Sequence, residues 1–438
     1  MSDHLDALQS DNADLPIESD EESPETITRK DYTLLLLVTL IKLGDSVEIY
    51  LPGVITQKAS CELGVSYFQE GMLAVIFYLF NTIAILVSLP ISARAGEKWT
   101  MILSLYLSIV FAILCAVVPN YYTLLLSRAL TGICVGLNEN ACGVFFAKFA
   151  SSKKMLTKGS FLFEALTYPV GGTWVTVLGW LFLDLVGWRV FILLTSVPLF
   201  VPPILMLHCC FQENEEQEHR ELKIDESKTP GETDSLVDSG DVPNFAARVT
   251  RSSFFMFSHV SIGYSIIILA PWLIRIYKIE QGALDNVEKC GEVVQDTDFL
   301  ILTVVTGITN IVGRVLGIFL CDRVRFLVLQ TTLTFIIAVS FAILLVKPSF
   351  IASMVVVGLL KFCYSIQGVE VAILHYDYDY FGKLRFELGS YFSSAIGMAG
   401  AVVGTSLSAF LDPYIALTVL LAIACSEIVV ICFMRERF

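Results

Sequence analysis

Residues 211–251 read FQENEEQEHRELKIDESKTPGETDSLVDSGDVPNFAARVTR, a polar stretch with eleven Asp/Glu against five Lys/Arg. It parts two blocks that are almost wholly apolar. A bilayer core needs about 20 apolar residues per helix. Each block holds six such runs, at roughly 32–54, 71–93, 99–119, 121–146, 159–183 and 188–210, then 252–276, 299–321, 326–346, 349–374, 388–411 and 414–434. The runs are continuous rather than alternating, which selects helices over a membrane barrel. The expected fold is an all-α membrane protein of twelve transmembrane helices in two six-helix bundles. Residues 1–31 form an acidic tail, 32–210 the first bundle, 211–251 the linker, 252–434 the second bundle and 435–438 a short cytoplasmic end.

The composition agrees. The 438-residue chain is 55% apolar and only 16% charged, with a mean hydropathy of +0.70, whereas soluble proteins carry roughly 25% charged residues. That deficit excludes a cytosolic enzyme and a nucleic-acid binder. The net charge of −14 sits in the tail and the linker, and the rest is neutral. Both acidic segments are expected to be disordered, being charged and poor in apolar residues.

Lys and Arg set the expected orientation. With the N-terminus in the cytoplasm, fourteen flank the inner side and six the outer. Both termini and the linker are then cytoplasmic. The acidic first thirty residues lack a signal-peptide core. Of eleven cysteines, only Cys61 and Cys290 fall in outer loops, where an oxidising lumen would allow a disulfide between them.

Charges inside apolar runs are costly and mark candidate sites. At ~1.5 Å per residue, Asp45 lies ~3 Å and Glu48 ~7 Å outward of the middle of run 1. Arg128 of run 4 sits level with them. Asp45 and Glu48, three apart, share a helix face, and one of them is expected to pair with Arg128. Two readings stand: a static lock between runs 1 and 4, or a proton-coupling site. Burial raises a carboxyl pKa and a nearby arginine lowers it, so a swinging partner would load and unload a proton.

In the second half, Arg314 of run 8 and Lys361 of run 10 have no evident acid at their depth in the sequence. Two cations on a central cavity would attract an anion, and a guanidinium holds a carboxylate with parallel hydrogen bonds. Asn310, one turn from Arg314, with Tyr264 and Tyr364, completes the expected substrate-binding set, and Trp174 is a further candidate for the cavity wall. Bland readings stand beside these: Arg314 reaching headgroups, Lys361 bonded to carbonyls, the aromatics packing. The five histidines are scattered, and neither metal nor cofactor is expected.

Two six-helix halves around a midplane site is the plan of many secondary carriers, and a weak internal echo fits it. Leu89-Pro-Ile-Ser-Ala-Arg-Ala-Gly-Glu-Lys98 follows run 2, and Gly317-Ile-Phe-Leu-Cys-Asp-Arg-Val-Arg325 follows run 8. With these turns the chain resembles the major facilitator superfamily over 32–434. The second copy of the loop motif keeps Gly317, Asp322 and Arg323. The first has Ala93 and Glu97 where the family has Asp and Arg, and holds only Gly96 and Lys98. Arg128-x-x-x-Gly132-x-x-x-Gly136 and Pro169-Val-Gly171-Gly172 are similar to the fourth- and fifth-helix motifs. Gly44-Asp45-Ser46-Val47-Glu48 and Gly187-Trp188-Arg189 resemble the branch of synaptic-vesicle-related proteins and organic-ion transporters. Gly307-Ile-Thr-Asn-Ile-Val-Gly-Arg314 and Tyr380-Phe-Gly-Lys-Leu384 resemble the monocarboxylate branch.

The resemblance implies alternating access for a small organic solute, an anion such as a carboxylate first, with protons as candidate co-substrate. It implies gating by Glu139, Glu164, Asp322, Arg323 and Lys98, with the inner acids against basic loop residues. It also implies crossings of helices 5 and 8 at Gly171-Gly172 and Gly313/Gly317. No G-x-x-x-x-G-K-[ST] loop is present for an ATP-driven pump. The expected partners are the solute and the bilayer, without nucleic acid, in a monomer in the plasma membrane or a vesicle. The competing class is a non-transporting receptor, vesicle constituent or scaffold of the same fold, to which the eroded first loop motif points.

Overall fold

The computed structural model describes residues 29–149, 153–211, 245–280, 297–321, 323–376 and 386–433. Among them the chain forms twelve helices and no strand. In the first half these are α1 (Arg29–Leu63), α2 (Tyr67–Ala95), α3 (Glu97–Val117) and α4 (Tyr121–Phe149), then the stretch Lys153–Cys210. Gly187, at φ +74°, breaks that stretch into α5 (153–186) and α6 (188–210). The second half comprises α7 (Phe245–Glu280), α8 (Thr297–Cys321), α9 (Phe326–Leu345), α10 (Phe350–Tyr376), α11 (Phe386–Phe410) and α12 (Pro413–Phe433). Nine of the described helical segments are long and apolar enough to cross a membrane.

Local sequence sets the breaks. Ser66 and Gln69 form a capping box at the start of α2, with the Ser66 N–H donating to Gln69 Oε1 at 2.9 Å. Asn120 Oδ1 accepts the Thr123 N–H at 3.0 Å at the start of α4. Asp412 does the same for Tyr414, with Pro413 first in α12, where its missing N–H costs nothing. Between these breaks the outward faces stay apolar, with Leu103, Leu126 and Leu205 exposed as lipid contact requires.

In the first half α1 lies against α5 and α6, and α2 against α4. In the second, α7 lies against α11 and α8 against α10. Small residues permit the approach: a Cβ on Gly132 or Gly136 would overlap the carbonyls of Phe77 or Asn81 on α2. The halves meet along α2–α11 and α5–α8. Two expectations about this seam need correcting. Gly171 and Gly172 press on Ser46 and Tyr50 of α1, and Gly313 and Gly317 on α10. The crossing of α5 and α8 is made instead by Gly307 against Thr173. Trp174 faces outward, 52% exposed, and does not line the cavity described below.

The Gly187-Trp188-Arg189 motif is a clamp. Trp188 Nε1 donates to Glu62 Oε2 at 2.6 Å, and Arg189 donates to Glu62 Oε1 and to the Val118 carbonyl. It ties the ends of α1, α3 and α6 together, beside the Lys58–Asp184 ion pair. Cys61, in the same region, is disulfide-bonded; Cys290 lies outside the described residues. So do the tail and 212–244, and α7 begins six residues before the expected linker end.

Candidate substrate cavity and its buried charges

Between the halves lies a cavity with about 1360 Å³ of space free of atoms, counting the part open to solvent. Among the described residues its charged lining is Lys42 and Glu139 from the first half, and Arg314 and Lys361 from the second. Tyr50, Tyr168, Tyr264, Tyr364, His259 and Asn310 supply aromatic and polar surface. The remaining wall includes Asn140 and Gly143 late in α4, Gly368 late in α10, and Ser390 and Ser394 early in α11. All of these lie toward the end of the bundle where α1 and α7 begin. The opposite end is shut. Phe68 of α2 stacks on Phe410 of α11 at 4.9 Å between ring centres, and Gly71 abuts Ala409 and Phe410. Tyr78 of α2 meets Tyr264 of α7 edge-on at 4.9 Å.

In the first half two separate charge arrangements lie side by side. Arg128 Nη1 donates to Glu48 Oε2 at 2.9 Å, Nη2 donates to the Glu48 carbonyl at 3.0 Å, and the guanidinium lies over the Phe77 ring at 4.8 Å. Both side chains are buried, 3% and 1% exposed, and neither lines the cavity. Of the two acids expected to compete for Arg128, Glu48 holds it. Asp45 instead accepts from Asn138 Nδ2 at 3.0 Å through both oxygens.

The second arrangement faces the cavity. Lys42 lies 3.9 Å from Glu139 Oε1 and donates to the Glu139 carbonyl at 3.5 Å, while the Tyr168 hydroxyl donates to Glu139 Oε1 at 2.8 Å. The expected partner of Glu139 was a basic loop residue. Lys98 instead donates to the Phe211 carbonyl at 3.1 Å, because α4 runs on for nearly three turns beyond Glu139 to Phe149, which leaves Glu139 in the bundle interior. Arg323 is exposed. The side chains of Glu164 and Asp322 lie outside the described residues.

The second half brings its expected set together. Arg314 Nε donates to Asn310 Oδ1 at 3.4 Å, and the Ser365 hydroxyl donates to the same oxygen at 2.5 Å. Lys361 donates to the Gly263 carbonyl at 3.4 Å and sits 5.2 Å from the centre of the Tyr364 ring. Tyr364 stacks flat on His259, 3.9 Å apart at 1°. A Cβ on Gly368 would lie 2.8 Å from His259 Nε2 and 3.5 Å from an Arg314 nitrogen, so the missing side chain lets imidazole and guanidinium share one wall.

Sequence reading missed Lys42, Tyr50, Tyr168 and His259. Lys42 was within reach, being a charge in the middle of run 1 by the rule that picked out Asp45. The tyrosines and the histidine carry no such signal, since an aromatic in an apolar run reads as packing.

The family model described as Major Facilitator Superfamily matches residues 36–376. Synaptic vesicle glycoprotein 2A of Rattus norvegicus is 25% identical over 193 residues, covering 40% of this chain and 26% of that protein. Synaptic vesicle glycoprotein 2B of the same species is 24% identical over 191 residues, covering 41% and 28%. The matched stretch is thus about a quarter of the length of these relatives. Neither is a monocarboxylate transporter, so that likeness rests on the sequence motifs alone.

Among solved structures, a partially occluded inward-open conformation of the xylose transporter XylE from E. coli superposes with a TM-score of 0.68 at 14% identity, covering 93% of this chain and all of that one. A D-xylose-proton symporter gives 0.66 at 13%, covering 92% and 97%. At such identity the likeness shows the fold. With twelve helices in two bundles, a cavity between them and a family model spanning most of its length, the chain is a multi-pass membrane protein that belongs to the Major Facilitator Superfamily.

Proposed function

We propose that this transporter carries a small organic anion by alternating access. The observation that carries the reading is the charge on the cavity wall among the described residues: Lys42, Arg314 and Lys361 beside the carboxylate of Glu139. In a confined, low-dielectric space an excess of positive over negative side chains, as the described residues show, concentrates anions and disfavours cations. Arg314 offers the carboxylate fork, Lys361 a second charge, and Asn310 fixes the guanidinium from one turn away. The tyrosines suit an apolar or planar body.

We take both termini as cytoplasmic from the Lys/Arg count, and on that reading the cavity faces inward. Phe68–Phe410 and Tyr78–Tyr264 are then the contacts that part when it turns outward. Glu48–Arg128 acts as a lock between α1 and α4, and Glu139, held by Lys42 and Tyr168, is the carboxylate that responds to cavity contents. The names of the synaptic vesicle relatives make a vesicle membrane the first place to look for the protein. A non-transporting scaffold would have no use for a polar cavity, which disfavours that alternative despite the eroded loop at Ala93 and Glu97.

The test is an uptake screen in reconstituted vesicles over organic anions, organic cations and neutral solutes, with and without a pH gradient. Uptake of carboxylates above empty vesicles, and of no cation, is expected. Uptake of cations or neutral sugars alone would discard the anion assignment.

A further inference from the structure

Behind the cavity wall of the second half lies a polar cluster that the transport reading leaves unused. At its centre is Glu427 of α12, 0% exposed. Its Oε2 accepts from the Ser258 hydroxyl of α7 at 2.6 Å. Its Oε1 accepts from Gln367 Nε2 of α10 at 2.6 Å and from Gln330 Nε2 and the Thr334 hydroxyl of α9 at 2.7 and 3.3 Å. Every one of these partners is neutral. Four helices thus converge on one carboxyl group in the apolar interior, and no cation touches it among the described residues.

The titratable surroundings are few. Helix α9 carries no titratable side chain. Helix α7 presents His259, whose Nδ1 lies 3.5 Å from Gln367 Oε1. Helix α10 carries Lys361 and Tyr364 on the cavity side, and Glu370 one turn beyond Gln367, buried and with Oε2 lacking a hydrogen-bond partner. Arg314 of α8 stands beyond His259 on the cavity wall. Glu427 therefore connects to the cavity through Gln367 and His259.

A second observation concerns Gln330. Its Oε1 is buried without a hydrogen-bond partner, although its Nε2 donates to Glu427. Leaving a buried acceptor unmade costs roughly 1–3 kcal/mol. Rotating the amide by half a turn brings that acceptor to the carboxyl group. The cluster thus serves both states: four donors for the carboxylate, and a waiting acceptor for the O–H of the acid.

The geometry points to Glu427 as a proton-binding site outside the cavity, whose occupancy sets how tightly the Arg314–Lys361 wall holds an anion. The second half of that statement rests on the anion reading above. When the Gln367 side chain swings aside, water from the cavity reaches the carboxylate beside His259. Hydronium gives up one proton, carboxylate becomes carboxylic acid, and a water molecule remains. The loss of a negative charge behind the wall strengthens the positive field of the two cations. A proton and an anion then load together. A unit charge ~10 Å away at an effective dielectric of ~20 changes anion affinity about tenfold.

The experiment has two arms on the full chain in vesicles. In the first, infrared difference spectra over a pH titration compare the parent with Glu427→Gln and Ser258→Ala. The parent is expected to show a carboxylic-acid band that Glu427→Gln lacks. Ser258→Ala keeps the band at a displaced frequency, because that hydroxyl touches the carboxyl group directly, and it serves should Glu427→Gln not fold. Spectra identical in all three proteins overturn the proton site.

In the second arm, benzoate affinity is measured across the same pH range. The parent is expected to bind about tenfold more tightly when the band is present, a dependence absent from Glu427→Gln. The same dependence in both proteins overturns the coupling. If the band behaves as expected but benzoate and the other carboxylates do not bind the parent at all, the anion reading fails and the proton site stands.

Discussion

Removing Arg128 tests whether the buried ion pair of the first half is a lock. Arg128 gives Glu48 two hydrogen bonds, at 2.9 Å to the carboxylate and 3.0 Å to the carbonyl, and covers Phe77. With both side chains almost fully buried, Arg128→Gln strands a carboxylate away from water, and breaking such a pair costs roughly 3–5 kcal/mol. Losing the contact with the Phe77 ring adds on the order of 1 kcal/mol, placing this variant at the top of that range. Glu48→Gln leaves the backbone bond in place, so about 3 kcal/mol is expected. The double variant holds two neutral amides and should recover about 2–3 kcal/mol relative to the sum of the single changes. The assay is reversible unfolding in mixed micelles, followed by tryptophan fluorescence, across the four proteins of the cycle. A coupling under about 0.5 kcal/mol would mean that water screens the pair and that the lock is not there. A Glu48→Gln variant that unfolds normally but loses the pH dependence of uptake would return the pair to the role of proton site.

Three further outcomes are expected. Arg314→Gln should weaken carboxylate binding roughly 30-fold or more, the equivalent of ~2 kcal/mol for a buried charged hydrogen-bond partner, with normal amounts of folded protein by fluorescence size-exclusion; unchanged binding would remove Arg314 from the site. Lys42→Glu and Glu139→Lys should each abolish uptake, and the exchanged double variant should regain part of it, as measured in vesicles; no rescue would mean that their separation of 3.9 Å carries no functional pairing. Gly136→Val drives a side chain into Asn81 and Ala84 of α2 and should cost about 1–3 kcal/mol, seen as a lower unfolding midpoint; a neutral result would show that α2 and α4 can separate freely.

The membrane runs were legible because lipid imposes one rule on every residue of a span. The two halves of Lys153–Cys210 were separable at Gly187 for the same reason, the apolar run pausing at the turn. Helix ends were less legible. Helix α1 runs on through Leu63, well past the apolar stretch, since a helix entering water keeps its backbone bonds after its side chains turn polar. Buried charges were legible as positions and not as partners. Asp45 and Glu48 lie on one face with Arg128 level, and hydropathy cannot say which acid turns toward it; the choice was made by Asn138, which occupies Asp45. Lys42 and Glu427 broke the apolar pattern as plainly as Arg314 does. The glycine contacts were the least legible. Gly171 and Gly313 announce close packing, but which neighbour they admit depends on helix rotation, which no local pattern encodes.

The central claim is that the two bundles rock about the cavity. Paired spin labels at Phe68 and Phe410 report the closed end, and labels at Val144 and Ser394 the open one, with distances read by double electron–electron resonance in nanodiscs as pH and carboxylate are varied. Alternating access predicts two distance populations for each pair, the outer lengthening in the same fraction of molecules in which the inner shortens. A single unchanging distance for both pairs under every condition would contradict it.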